Sequence, residues 1–335
     1  NRRRGWDEAE YELVDSLRED FSEGRYFDIF VEYAKADQED LLCRITAVNR
    51  GSEPASIHIL PHLWYRNTWS WGHGRARPQL RALAPGIVHT EERHLGERGW
   101  YIDGQVPLLF TENETNQERL FNIPNAAPYV KDSINDAIVH GLVDRVHPGQ
   151  RGSKVAAHYH AAIPPGESFS ARVRFSDAHY QDPFADFDSI FVQRIKEADE
   201  FYAAIQRPDL SGDERRVQRQ AFAGLMWTKQ FYHYSVELWL EGDPAQPPPP
   251  ESRKGRRNAD WQHLYNLDVL SMPDKWEYPW YAAWDLAFHT LPIALIDPEW
   301  AKRQLILLLR EWYMHPNGQL PAYEWALGDV NPPVH

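Results

Sequence analysis

The chain changes its hydrophobic period once, near residue 187, and this change limits the folds that it can adopt. Before it, short runs of alternating apolar and polar residues are separated by turn signals such as Pro164-Pro165-Gly166-Glu167. This pattern is typical of antiparallel strands. After it, apolar residues recur at helical spacing, first over residues 188–205. We therefore predict a β domain at residues 1–187 and a helical domain at residues 188–335, with a proline-rich surface loop at 243–258.

Seven segments of the first domain are predicted to be strands. Strands at this spacing, with turns between them, indicate an antiparallel β-sandwich. Cys43 lies in the second segment, and we interpret it as a small buried apolar residue rather than a reactive thiol. The predicted strands are 26–33, 41–48, 56–64, 99–102, 106–112, 156–163 and 168–175.

Helices of the second domain carry capping signals. Ser211 and Glu214 form a capping-box pattern, and the helix that they open is predicted to reach about residue 240. Asp297 and Pro298 have the residue types of an N-cap and a first helical position. The helix after them is predicted to reach residue 313 and, because it is apolar almost all round, to be buried.

Composition and motifs exclude several classes of function. The formal net charge of -13 repels phosphate backbones, so no nucleic-acid partner is predicted. No run of about 18 apolar residues occurs, so no membrane span is predicted, and no signal peptide is visible. His158 and His160 lack a nearby third ligand and there is no glycine-rich phosphate loop, so we predict neither a metal nor a cofactor. No oligomeric state is predicted.

Residues 272–289 combine aromatic and acidic side chains in a way that a folded core normally excludes. Aromatic faces can stack on a sugar, and a carboxyl group can protonate a glycosidic oxygen. Asp285 is the strongest candidate for the proton donor, because burial raises a carboxyl pKa. It could instead cap a helix that starts at Leu286, or pair with His289. Glu277 could bind sugar hydroxyls or pair with Lys275. The candidates for sugar walls, which could equally be core residues, are Trp276, Trp280, Tyr281 and Trp284.

A second polar and aromatic segment follows at residues 318–333. Gln319, Tyr323 and Glu324 could donate or accept hydrogen bonds with a sugar. Glu324 could in principle be the second carboxylate of a hydrolase. The alternative is a turn-rich loop with a capped backbone.

Residues 280–289, Trp-Tyr-Ala-Ala-Trp-Asp-Leu-Ala-Phe-His, resemble a segment of glycoside hydrolase family 63. This family includes processing α-glucosidases and bacterial mannosylglycerate hydrolases. Its aspartate at this place is the general acid, so the resemblance implies that role for Asp285. It also implies that the second segment, including Trp325, lines the donor subsite. The combined set of predicted substrate-binding residues is Trp276, Glu277, Trp280, Tyr281, Trp284, His289, Gln319, Tyr323, Glu324 and Trp325.

The resemblance implies an α+β multidomain fold, with an N-terminal antiparallel β-sandwich followed by the first helices of an (α/α)6 toroid. It implies inverting hydrolysis of an oligosaccharide or glycoside with α-linked glucose or mannose, which needs two carboxyl groups about 6.5–9.5 Å apart. The family's base is a glutamate nearer the C-terminus, and Glu324 matches a binding loop instead. We therefore expect a fragment of a larger bacterial member, with its base beyond residue 335. The bacterial character and the single cysteine predict a cytoplasmic protein.

Two other functions remain open at this point. A fragment that lacks the base could bind carbohydrate without cleaving it. An inverting sugar phosphorylase would also fit, because it needs an acid but uses phosphate in place of the base.

Overall fold

The computed structural model describes residues 3–272 and 274–335, so Pro273, within the aromatic stretch, lies outside the described residues. The chain divides into two compact units. The first runs to Ser70 and resumes over Arg75–Ile195, and the second comprises Trp71–Gly74 and Lys196–His335. The domain boundary at residues 187 and 188 stays a prediction.

The first unit is built mainly from antiparallel strands. Its longest sheet has seven strands in the order β1-β2-β12-β7-β6-β5-β9, and two smaller sheets have the orders β4-β10-β8 and β11-β3. The strands are β1 Phe27–Asp37, β2 Asp40–Asn49, β3 Ala55–Ile59, β4 His62–Trp64, β5 Gln79–Ala84, β6 Ile87–Glu92, β7 Gly96–Ile102, β8 Leu108–Thr111, β9 Arg151–Gly152, β10 Lys154–Ala157, β11 Tyr159–Ile163 and β12 Ser168–Ser176.

One apolar core joins the three sheets of this unit. Leu80 of β5 and Trp100 of β7 are buried in it, together with Phe110 of β8 and Val155 of β10. Cys43 of β2 is also buried there, as predicted. Two short helices, α1 Leu13–Ser16 and α2 Arg18–Ser22, precede β1, and two more, α3 Gln117–Phe121 and α4 Ser133–Val139, lie between β8 and β9. The longer helix α5 Phe187–Ile205 follows the last strand.

Each of the seven predicted strand segments contains a strand, but two of them are divided. The segment 56–64 separates into β3 and β4 at Pro61, which has no N–H to donate to a neighbouring strand. The segment 156–163 separates into β10 and β11 at His158, where the chain changes from pairing with β4 and β8 to pairing with β3. Strands β5, β6 and β9 were not predicted from the sequence.

The second unit combines helices with a two-stranded antiparallel sheet. Its sheet pairs β13 with β14 in a register that runs from Lys229 opposite Ser271 to Ser235 opposite Tyr265. Among the described residues, no helix is long and apolar enough to cross a membrane. The elements are α6 Gly212–Trp227, β13 Lys229–Ser235, α7 Val236–Glu241, β14 Tyr265–Ser271, α8 Ala283–Ile293 and α9 Pro298–Leu308.

The predicted fold class, a β-sandwich followed by the first helices of an (α/α)6 toroid, is wrong. The protein is rich in antiparallel sheet, and the helices of the second unit share it with β13 and β14 instead of forming a toroid within the described residues. The helix predicted to reach residue 240 ends at Trp227. After Thr228, the seven residues Lys-Gln-Phe-Tyr-His-Tyr-Ser are rich in aromatics that favour a strand, and they form β13.

Both predicted helix caps are confirmed. Ser211 and Glu214 form a reciprocal capping box at the start of α6. Asp297 caps α9, and Pro298 occupies its first position. The expected extent and burial of α9 were wrong, because the helix ends at Leu308 and exposes Ile306.

Candidate functional site

The two segments predicted to bind sugar lie against each other at the start of α8. Ala282 is the N-cap of this helix, and its extended backbone forms an antiparallel bridge with Tyr323. The amide of Ala283 donates to the carbonyl of Ala322 at 2.8 Å. The amide of Ala322 donates to the carbonyl of Leu327 at 2.8 Å. Backbone hydrogen bonds therefore attach the second segment to the helix that carries Asp285.

Asp285 lies in the first turn of α8 and is partly buried. Burial raises the pKa of its carboxyl group above the usual value, and the nearby charge of His289 opposes this rise. The helix begins at Ala283, so the alternative reading of Asp285 as an N-cap is wrong. The described residues show no ion pair between Asp285 and His289, but the two charges interact, because burial lowers the pKa of His289 while Asp285 acts to raise it.

Two hydroxyl groups, those of Thr228 and Ser271, determine which ring nitrogen of neutral His289 carries the proton. Thr228 Oγ1 donates to the carbonyl of Leu225 at 2.6 Å, so its single proton is used. The 2.9 Å bond between Thr228 and Ser271 must then take its proton from Ser271 Oγ. Ser271 Oγ in turn must accept from His289 Nδ1, at 2.7 Å. The neutral imidazole therefore carries its proton on Nδ1, and Nε2 is the free base.

Glu324 is hydrogen-bonded by Tyr232 and Asn258, which the sequence did not predict as site residues. Tyr232 of β13 donates its hydroxyl to Glu324 Oε2. Burial, and then this bond to a carboxylate, raise the pKa of Tyr232. Asn258 donates Nδ2 to the carbonyl of Glu324 at 2.7 Å and accepts the amide of Leu327 at 3.0 Å. The carboxylate is thus fixed beside β13 with one oxygen already engaged.

An aromatic–arginine cluster, defined by Tyr278, Trp280, Trp325, Trp239 and Arg257, lies next to Glu324. Trp280 and Trp325 meet edge to face with ring centroids 5.5 Å apart, and Tyr278 packs on Trp280 at 4.4 Å. Trp325 remains 46% exposed, so an aromatic surface is open to solvent. The sequence placed Arg257 in the proline-rich surface loop at 243–258. The cluster brings it onto two tryptophan rings instead.

Tyr281 is buried rather than exposed as a sugar wall. Its ring is 0% exposed and packs on Tyr232 and Tyr313, with centroids 5.4 and 6.3 Å away. The chain is extended at the adjacent Ala282. Successive side chains of an extended segment point to opposite faces, so Trp280 can lie near the surface while Tyr281 enters the core. The interpretation of Tyr281 as a subsite wall is therefore corrected.

Trp284 and Trp276 are exposed but lie in different surroundings. Trp284 packs edge to face on Phe288, and these two continue with Leu291 and Leu295 as an exposed apolar stripe along α8. Its spacing is that of one helix face. Trp276 is 83% exposed in the preceding loop.

Three further predicted residues, Glu277, Gln319 and Tyr323, lie in loops that hydrogen bonds order. Asp274 accepts the amides of Trp276 and Glu277 at 2.6 and 2.7 Å, which orders the loop that carries Glu277. Gln319 donates Nε2 to the carbonyl of Gly328 at 2.9 Å and closes the second segment. Tyr323 is half-buried and contributes the backbone bridge to α8.

The residues that the structure describes contain no group of three or more His, Cys, Asp or Glu placed to hold a metal ion. His58 does join His158 and His160 in the first unit, and its Nδ1 lies 2.7 Å from His158 Nε2. The rings of His58 and His160 are stacked 4.2 Å apart with an angle of 5° between their planes. Parallel rings direct their nitrogen lone pairs into separate planes, which does not suit tetrahedral coordination of one ion.

No protein-family model matches the chain. The chain is 42% identical over 380 aligned residues to the uncharacterized protein YMR196W of Saccharomyces cerevisiae. The alignment covers 100% of the chain and 35% of that protein, so the chain spans about a third of the length of this relative. The relative's name carries no activity, and membership of glycoside hydrolase family 63 stays a prediction.

Proposed function

We propose that this chain carries the proton-donor part of a glycoside hydrolase site. The substrates are oligosaccharides or glycosides with α-linked glucose or mannose, and hydrolysis inverts the anomeric configuration. The observation that supports this proposal best is Asp285, a partly buried carboxyl group whose pKa is raised and which is coupled to His289. A raised pKa keeps a carboxyl group protonated closer to neutral pH, as a general acid requires.

His289 supports Asp285 after the proton has been transferred. When Asp285 gives its proton to the glycosidic oxygen, it becomes a carboxylate in a partly buried position. The free Nε2 of His289 can then take up a proton from solvent water, and the resulting imidazolium stabilises the carboxylate. The bond from Nδ1 to Ser271 holds the imidazole in this tautomer.

The adjacent groups provide the means to bind a sugar. Trp280 and Trp325 offer aromatic surface for the C–H face of a pyranose. The second oxygen of Glu324 can accept sugar hydroxyl protons while Tyr232 occupies the first. In this proposal Glu324 binds substrate and the catalytic base comes from outside these 335 residues. A cytoplasmic location belongs to the same proposal, with the single buried cysteine as its support.

The test is hydrolysis of α-glucosides and α-mannosides by the full-length protein that carries Asp285→Asn. We expect the turnover rate to fall by about 10²- to 10⁴-fold, the usual contribution of a general acid. The rate of the unaltered protein should fall as the pH rises through the pKa of Asp285, because the acid form is the active one. Glu299→Gln is the matched control, since Glu299 is an exposed acid of α9 paired only with a neighbouring lysine. Unchanged turnover in Asp285→Asn, with the fold intact by circular dichroism, would rule out the proposed role.

A sugar-binding function without catalysis is the second candidate. It is favoured by the fact that the aromatic–arginine cluster and Glu324 lie together in one unit, whereas no base is assigned there. Calorimetric binding of oligosaccharides in the absence of any turnover would select it. Turnover that depends on added phosphate would select a phosphorylase instead.

A further inference from the structure

The guanidinium group of Arg257 contacts two tryptophan rings. Its Cζ lies 4.5 Å from the ring centroid of Trp325 and 4.8 Å from that of Trp239. Both distances are within the range of a cation–π interaction. Contact with two rings fixes the plane of the guanidinium and reduces the entropy that it would lose on binding a ligand.

The N–H groups of this guanidinium are not used inside the protein. Across residues 3–272 and 274–335, its contacts are with aromatic rings, and it has no hydrogen-bond or ion-pair partner. Arg253 provides a contrast on the same ring. It lies 4.9 Å from the Trp239 centroid, but its Nη1 donates to the carbonyl of Trp239 at 2.9 Å. An ordered arginine with five unused donors is suited to a carboxylate or phosphate group.

Arg257 also lies beside the groups proposed to bind sugar. The residue that follows it, Asn258, donates to the carbonyl of Glu324 at 2.7 Å. Trp325, which follows Glu324, is one of the two rings that Arg257 contacts. The charge of Arg257 also acts on Tyr234, where it opposes the rise in pKa that burial causes. The guanidinium therefore belongs to the same surface as Trp280, Trp325 and Glu324.

We propose that Arg257 binds an oxyanion, either an acidic group carried by the sugar substrate or a free phosphate bound next to the sugar. This proposal rests on the proposed sugar site and specifies its ligand further. The chain has a formal net charge of -13 and repels anions at long range. Binding an anion at this surface therefore requires a local cation whose donors are free, and Arg257 provides one.

The test is calorimetry on the full chain with three separate probes, namely D-glucose, D-glucuronate and inorganic phosphate. We expect Arg257→Gln to weaken binding of at least one anion by about 10- to 100-fold, the value of a charge-assisted hydrogen-bonded pair. Binding of glucose should change less than twofold. Arg253→Gln is the matched control, because it removes a guanidinium that lies over Trp239 alone and already donates to the protein backbone. Arg257→Lys keeps the charge but not the planar fork, and should give an intermediate loss.

The outcomes separate the alternatives. Loss of glucuronate binding alone assigns the oxyanion to the substrate, and loss of phosphate binding alone assigns it to a free phosphate. If glucose binds but neither anion depends on Arg257, this inference is overturned while the proposed sugar site stands. If an anion binds through Arg257 but no sugar binds, the oxyanion site stands and the proposed function fails. Equal losses in Arg257→Gln and Arg253→Gln would show that the aromatic contacts only support the loop, and would also overturn the inference.

Discussion

Replacing Asp40 by asparagine is expected to lower the free energy of unfolding of the first unit by about 3–5 kcal/mol, because it removes the buried charge partner of a buried cation. The cation is Arg174, whose side chain is 1% exposed, against 7% for Asp40. Arg174 Nε donates to Asp40 Oδ1 at 2.9 Å and Nη2 donates to Oδ2 at 2.5 Å. Tyr180 donates its hydroxyl to the same Oδ2 at 2.6 Å. An asparagine can accept at only one of these positions and carries no charge.

Two variants test whether loss of the buried charge partner is the cause. Asp186 also accepts from Arg174, at 2.6 Å, but its side chain is 52% exposed. Solvent screens this pair, so Asp186→Asn should cost about 1 kcal/mol or less. The double variant Asp40→Leu with Arg174→Met removes both charges and should recover most of the loss, since no buried ion remains.

The pH dependence follows from the same network. Burial alone would raise the pKa of Asp40, but hydrogen bonds from Arg174 and Tyr180 outweigh it and lower the pKa. A carboxylate whose pKa is depressed on folding stabilises the protein above its unfolded pKa of about 3.9, and this stabilisation is lost as the pH falls through the folded pKa. Wild-type stability should therefore decline below about pH 4, and the decline should be smaller in Asp40→Asn.

The assay is urea unfolding followed by circular dichroism, with free energies from linear extrapolation. The reasoning would be refuted if Asp40→Asn and Asp186→Asn cost the same, or if Asp40→Asn lost less than about 1 kcal/mol. An unchanged slope m across the variants would show that the difference lies in stability rather than in the unfolded state.

Three further predictions concern single residues and can use the same unfolding assay. Asn258 is buried at a φ of 63° and makes two side-chain bonds to the 324–327 loop, so Asn258→Ala should cost about 2–3 kcal/mol. A methyl group at Gly152 would overlap the carbonyl oxygen of Thr111, so Gly152→Ala should cost about 1–3 kcal/mol, and a neutral result would contradict the packing. Burial, and then the charge of His58, lower the pKa of His158, so it takes up a proton less readily when folded. Stability should therefore fall as the pH drops below about 6.5, and His158→Gln should flatten this fall between pH 8 and pH 5.

The features that could be predicted from the sequence are those set by neighbouring residues. Ser211 and Glu214 satisfy each other's backbone amides within one helical turn, at 2.7 and 3.3 Å, whatever surrounds the helix. The same holds for Asp297, which accepts the amide of Trp300 at 3.0 Å. Capping depends on contacts three residues apart, so a sequence pattern is sufficient to find it.

The pairing of β13 with β14 depends on contacts that a local pattern does not contain. The partners Lys229 and Ser271 are joined only after the loop at 243–258 has returned the chain. Read alone, the aromatic run from Phe231 to Tyr234 continues the apolar spacing of α6, and the sequence predicted one long helix. A short apolar run fits a helix and a strand equally well until its partner is known. This error hid the two-stranded sheet of the second unit, and the family resemblance supplied the toroid that proved wrong.

The candidate site shows the same division between local chemistry and long-range placement. Asp285 and Glu324 were found because acids among aromatics are costly and therefore informative. Their attachment to each other was not found, because it passes through the backbones of Ala283 and Ala322, and backbone groups leave no mark on the sequence. Arg257 is the clearest case. A run of basic residues in a loop is usually solvated, and only the approach of two tryptophans from positions 239 and 325 makes this arginine an ordered, unpaired cation. The proposed anion site at this surface therefore depends on the tertiary fold more directly than the proposed proton donor Asp285 does.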